Sequence, residues 1–218
     1  MDSAGEELRI MQMQFIGRII ASFTHEVKNH LAFIKESAGL VGDLMASREH
    51  LDVKDVHHTV DIMQSIEDQV RKSSEFCSYL NRFAHRMDCL KTTFDMNECV
   101  DDLRVLMHRI ANQKRIVIGK AFESDRLQIH SSPALLQLMV FCVLEEMINR
   151  LAMNSRIGLK TLSSKEGISV VISPEGEETP QSEAERRCSI PFLQNIARRL
   201  EGAFEEKGKD VVITLPRS

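Results

Sequence analysis

The chain has 218 residues, 43% of them hydrophobic, with 28 basic and 32 acidic side chains and a formal net charge of −4. That is enough apolar material for one or two small packed domains, and neither the near-balance of charge nor any run of basic residues suits a nucleic-acid partner. MDSAGEELRI at the start lacks the basic-then-apolar order of a signal peptide, and no stretch of about 18 uninterrupted apolar residues could span a bilayer, so a cytoplasmic protein without membrane contact is expected.

Apolar residues recur from Ile16 through Ile20, Phe23, Val27, Leu31, Ile34, Ala38 and Val41 to Met45 at spacings of four and three. This predicts an amphipathic helix with one buried stripe. The pattern lapses over SREHLDVKDVHHT, a polar connection carrying His57 and His58, and a second series runs Met63, Ile66, Val70, Ser73, Cys77, Leu80, Ala84 and Met87. Its three-four alternation is that of a coiled-coil seam. Two such helices make an antiparallel hairpin over residues 1–90, and a hairpin alone leaves half of its seam in water. Pairing two hairpins into a four-helix bundle, through residues such as Phe23, Val27, Val70 and Leu80, buries the remainder. A homodimer is therefore expected, with packing of the seam on the chain's own C-terminal half as the alternative.

Over residues 91–218 the texture changes. RIVIGKAF, RIGLKTL, GISVVIS and DVVITLP read as strands, while Asn97 to Ala111, Pro133 to Met153 and Ser189 to Glu201 read as helices. The whole is an α+β protein, a helical hairpin followed by an α/β sandwich with its helices on one face of the sheet. SPEGEETPQSEAERR is polar enough for a loop. The five cysteines, Cys77, Cys89, Cys99, Cys142 and Cys188, are odd in number, scattered and without a C-x-x-C pair. They fit neither a disulfide framework nor a zinc site, and are read as reduced, mostly buried thiols.

The first helix carries FTHEVKNHLAFI, Phe23 to Ile34. On a helical wheel His25 and Asn29 face away from the apolar stripe, so His25 is not a core histidine. Glu26, next to it, is placed to accept a hydrogen bond from one ring nitrogen, which fixes the tautomer and leaves the other nitrogen as a nucleophile. Asn29, one turn on, offers an uncharged donor and acceptor for a water. The zinc motif H-E-x-x-H fails on spacing, because Asn29 stands four residues after His25 and His30 five. No metal ligands are expected, and His57 and His58 receive no chemistry.

FIGRIIASFTHEVKNHLAFI resembles the phosphoacceptor box of the sensor histidine kinases, combining His25, Glu26, Asn29 and Leu31 with the upstream Ile16-Gly17 and a second helix ending LNRFAHR. His30 departs from it, standing where such boxes often have proline. The resemblance implies that His25 is the phosphoacceptor and Glu26 the adjacent acid or base, with Asn29 at the position that places a water for dephosphorylating a partner. TFDMNECVDDLRVL and SSPALLQLMVFCVLEEM are similar to the entrance and nucleotide-box helix of a kinase ATP-binding domain. There, however, the asparagines expected to hold magnesium and phosphate are Cys142 and Glu146, and a carboxylate facing a triphosphate is repulsive unless a metal intervenes. The D-x-G-x-G box is matched by Pro174, Gly176 and Glu178, and the G-x-G box is replaced by RCSI, Arg187 to Ile190. None of the ten glycines stands in a G-x-G arrangement.

The reading is a histidine phosphotransferase that passes a phosphoryl group between His25 and the aspartate of response-regulator receiver domains. It binds no ATP, and the receiver supplies the magnesium. Phe33 is an apolar contact for docking that partner, and a histidine kinase is a further possible partner. The alternatives are a divergent ATP-dependent histidine kinase, and a non-catalytic binder of a kinase or receiver, or a phosphatase relying on Asn29.

Overall fold

The computed structural model describes residues 3–46, 52–123, 125–165, 167–178 and 188–217. Helices α1 (Ser3–Ala46) and α2 (Val53–His85) form the hairpin. Phe15 meets Phe83 edge-on at 5.3 Å, Phe23 stacks on Phe76 at 5.1 Å, and His30 Nδ1 lies 3.0 Å from Ser73 Oγ. Position rises along one helix as it falls along the other, so the pair is antiparallel as expected.

Two boundaries differ from the sequence reading. α1 begins at Ser3, well before Ile16. α2 begins at Val53 because Asp52 caps it: its carboxylate accepts from Asp55 N at 2.8 Å, and Asp55 Oδ2 accepts from Asp52 N at 3.2 Å. Such reciprocal capping satisfies amides that the helix itself leaves unpaired. His57 and His58 consequently lie on the opening turns of α2, exposed, and not in the connection. The rest of that expected connection, residues 47–51, lies outside the described residues.

In the single chain the apolar stripe is covered only in part. Phe23 and Leu80, expected at the dimer seam, pack inside the chain, whereas Ile20, Leu31, Met45, Met63 and Val70 are exposed. A second, unforeseen stripe, Phe15, Ile19 and Ser22, is buried against the sandwich. Phe15 lies 4.7 Å from the Phe141 ring, and Ser22 Oγ donates to the Leu106 carbonyl at 3.3 Å. The upper part of α1 thus belongs to the sandwich core on one side and to the hairpin on the other.

The sandwich has helices α3 (Met96–Asn112), α4 (Pro133–Arg150) and α5 (Ile190–Arg199) on one face of a five-stranded sheet. The sheet comprises β2 (Val117–Ala121), β4 (Arg156–Ser163), β5 (Ile168–Glu175), β7 (Asp210–Leu215) and β6 (Ala203–Lys207), paired in that order. β2 and β4 are parallel and the other pairs antiparallel. Alternate residues, Ile157 and Leu159, Val170 and Ile172, Val211 and Ile213, are buried under the helices, as the period of two requires. A separate pair, β1 (Thr92–Asp95) with β3 (Gln128–Ser131), and the edge strand β6 were not anticipated. β1 and β3 have four residues each, and AFEEK of β6 shows no buried alternation. α4 ends at Arg150, short of the expected Met153, where Leu151 turns extended and bridges to Glu178.

Ion pairs fasten the hairpin to the sandwich. Glu145 of α4 is 3% exposed and bound to Arg18 of α1 at 2.6 Å. Asp102 of α3 receives Arg82 through two nitrogens, at 3.0 Å and 2.7 Å, and also Arg86. Among the described residues no helix is long and apolar enough to cross a membrane.

Candidate functional site

His25 projects from the middle of α1 into solvent, and Asn29 is exposed one turn further on. Phe33, the expected docking contact, is exposed two turns on. His25, Glu26 and Asn29 therefore lie along one stretch of helix surface. Glu26 differs from its expected placement: its Oε1 is 3.7 Å from Nε2 of His30, and the structure pairs it there instead of with His25. The reason is geometric, since neighbours four apart on a helix face one another whereas consecutive residues diverge.

His30 is in turn held from α2. Ser73 Oγ lies 3.0 Å from His30 Nδ1 and donates to the Gln69 carbonyl at 2.7 Å. The Phe76 ring packs against the imidazole with centroids 6.3 Å apart. Glu26 and His30 form one wall of a groove of about 210 Å³, closed by Phe76 and Tyr79 of α2 and by Val105 and His108 of α3. The contact between His30 and Ser73 was missed in the sequence. Its one trace there was a serine in an otherwise apolar series on α2.

The second region of interest is a cavity of about 320 Å³ in the sandwich. Cys142, Glu146, Pro174, Glu178 and Cys188, five of the residues set against the nucleotide boxes, line it, whereas Gly176, Ser189 and Ile190 do not. Val143, Met147, Leu193 and Phe204 supply its apolar wall, and Glu206, Asp210, Lys209 and Arg150 its charged rim. Arg150 is bound to Glu178 at 2.6 Å. Pro174 offers the cavity no side-chain donor or carboxylate. The Cys142 thiol hydrogen-bonds with Cys188, and that bond, together with burial, pushes its pKa up. Burial likewise raises the Cys99 thiol to about 12. Neither supplies a thiolate near neutral pH.

Gly176 has a packing role of its own. Its φ is 152°, and a Cβ there would lie 2.4 Å from Ser155 Oγ, so this glycine is required by its neighbour whatever fills the cavity. Arg187 of the RCSI stretch lies outside the described residues. Among the described residues no cluster of His, Cys, Asp and Glu is arranged to hold a metal ion.

No protein-family model matches the chain, and no curated protein matches it in sequence. Solved structures do. The catalytic domain of histidine kinase ThkA aligns over 58% of this chain and 96% of its own, at 14% identity and a TM-score of 0.50. The sandwich has the fold of a histidine kinase catalytic domain. Histidine kinase AdeS of Acinetobacter baumannii aligns over 87% of this chain and 95% of its own, at 11% identity and a TM-score of 0.45. ThkA in complex with the response regulator TrrA aligns over 98% of this chain and 66% of its own, at 15% identity and a TM-score of 0.48. At these identities the likeness is one of architecture.

Proposed function

We propose that this chain is a histidine phosphotransferase of a two-component phosphorelay, residues 1–90 carrying the phosphoryl group and residues 91–218 serving as a docking and packing module. The observation that supports it most is the exposed His25 on a helix clamped at both ends of its packed half, with Glu26 and Asn29 within one turn. In the forward step a ring nitrogen of His25 attacks the acyl phosphate of a receiver aspartate. An N–P bond forms, the P–O bond breaks, and the electron pair leaves with the aspartate carboxylate. The remaining ring N–H becomes more acidic and Glu26 accepts or shares its proton; transfer onward to a second receiver is the reverse. Catalysis is chiefly positioning and charge stabilisation, with magnesium held by the receiver. Incubation with a radiolabelled phospho-receiver tests the assignment directly.

An ATP-dependent kinase is the second reading, favoured by the fold and by the survival of a cavity at the nucleotide position. The chemistry of that cavity speaks against it: Glu146, Glu178, Glu206 and Asp210 crowd a site where a triphosphate would bring further negative charge, and Arg150 is already bound to Glu178. Calorimetry with ATP and magnesium is expected to give no measurable heat of binding. A micromolar dissociation constant would restore the kinase reading.

The same proposal includes a homodimer. Ile20, Leu31, Met63 and Val70 are exposed on the hairpin, and a second copy related by a twofold axis would cover them as a four-helix bundle. Light scattering should give twice the mass of the chain at micromolar concentration. Val70→Glu should weaken association by on the order of 3 kcal/mol, through an unpaired buried charge, while sparing the fold, because Val70 is exposed in the single chain.

A further inference from the structure

Ser73 has one hydroxyl proton, and two neighbours compete for it. The carbonyl of Gln69 is 2.7 Å away and can only accept, so the proton lies on that line. The 3.0 Å contact with His30 must then run the other way, with His30 Nδ1–H donating to Ser73 Oγ. Nδ1 is therefore protonated in either charge state of the ring, and Nε2 is the nitrogen that gains or loses a proton. Nε2 is the atom facing Glu26 Oε1 at 3.7 Å. With the ring neutral, a lone pair opposes a carboxylate and this contact no longer holds Glu26. With the ring protonated, the two form an ion pair.

We propose that His30 is a positioning residue for the chemistry of His25: protonated, it tethers the Glu26 carboxylate on the groove side of α1, and neutral, it releases Glu26 to the His25 ring. This rests on the reading of His25 as the phosphoacceptor. The charged and titratable groups that line the groove with His30 are Glu26 on α1, Lys72, Glu75 and Tyr79 on α2, and His108 and Arg109 on α3. The two carboxylates and the two fixed cations cancel formally. Imidazole is the side chain whose ordinary titration falls between pH 5 and 8. The tether makes phosphoryl transfer rise with pH through Glu26, over and above any titration of His25 itself.

A kinetic cycle separates the two contributions. Transfer from a phospho-receiver is timed at pH 6 and pH 8 for the wild type, Glu26→Gln, His30→Ala and the double variant. The ratio of rates with and without Glu26 cancels the titration of His25. In the wild-type background that ratio should approach ~10²-fold at pH 8, the scale of general acid–base assistance, and fall severalfold at pH 6. In the His30→Ala background it should be equal at the two pH values. A ratio with the same pH dependence in both backgrounds overturns the proposal. A second readout needs no phosphoryl transfer: in nitrogen-15 NMR the His30 ring, assigned by its loss in His30→Ala, should carry its fixed proton on Nδ1, and its Nε2 signal should change between the wild type and Glu26→Gln at pH 6. An Nε2 signal unmoved by Glu26→Gln overturns the tether, whereas absence of labelling at His25 with a changed Nε2 signal overturns the phosphotransferase reading instead.

Discussion

His25→Ala should abolish phosphoryl labelling by a phosphorylated receiver while leaving the folded state unchanged. The wild type should take up phosphate that is acid-labile and base-stable, the signature of a phosphoramidate. His25 is exposed, so its loss removes a nucleophile and no packing; surface substitutions of this kind shift stability by less than about 0.5 kcal/mol. Glu26→Ala should slow transfer by on the order of 10²-fold if its carboxylate handles the ring proton. Asn29→Ala should spare the transfer step and reduce net loss of phosphate to water, which is a separable measurement on the same gel. Persistent labelling of His25→Ala would move the acceptor elsewhere. Failure of every receiver to label the wild type would leave a non-catalytic binder as the better reading.

The features legible in the sequence were those with a period. The three-four series on α1 and α2 and the alternation in β4, β5 and β7 predicted the right elements because burial on one side imposes those repeats. β6 lacks a buried alternation, and β1 and β3, at four residues each, are too short to show a period, and were missed for those reasons. The second stripe on α1, Phe15, Ile19 and Ser22, was invisible for a different one: it is made by contact with residues far along the chain, as in the bond from Ser22 to Leu106. At the site, the wheel placed His25 and Asn29 correctly on the solvent side. Glu26 was assigned by adjacency, although facing along a helix follows the spacing of four that leads to His30. The role of Ser73 depended on the register between the two helices, which neither helix encodes alone.

Asp102→Ala should cause the largest loss of stability among single polar substitutions at the junction of hairpin and sandwich. Asp102 is 3% exposed, and its carboxylate is the shared acceptor of Arg82 and Arg86. The hydrogen bond to Asp102 is the main reason that the Arg82 pKa is raised, although burial opposes it. Removing the carboxylate leaves two cations facing an apolar helix junction. Arg82, half exposed, can turn to water and give up its position over the Tyr79 ring, now 4.7 Å away. The Arg86 side chain, 12% exposed, cannot do so without opening the contact between α2 and α3. Breaking a buried pair in this way costs about 3–5 kcal/mol, which for a chain of this size corresponds to a fall in melting temperature of on the order of 10 °C. Replacing Asp102, Arg82 and Arg86 together by apolar residues of similar volume should recover much of that loss, because no charge is then left unpaired. Calorimetric scans of the single and triple variants decide the matter. Equal destabilisation in both would show that the contact depends on shape alone, whereas recovery in the triple variant identifies the unpaired arginines as the source and the ion pairs as what fixes the angle at which the hairpin leaves the sandwich.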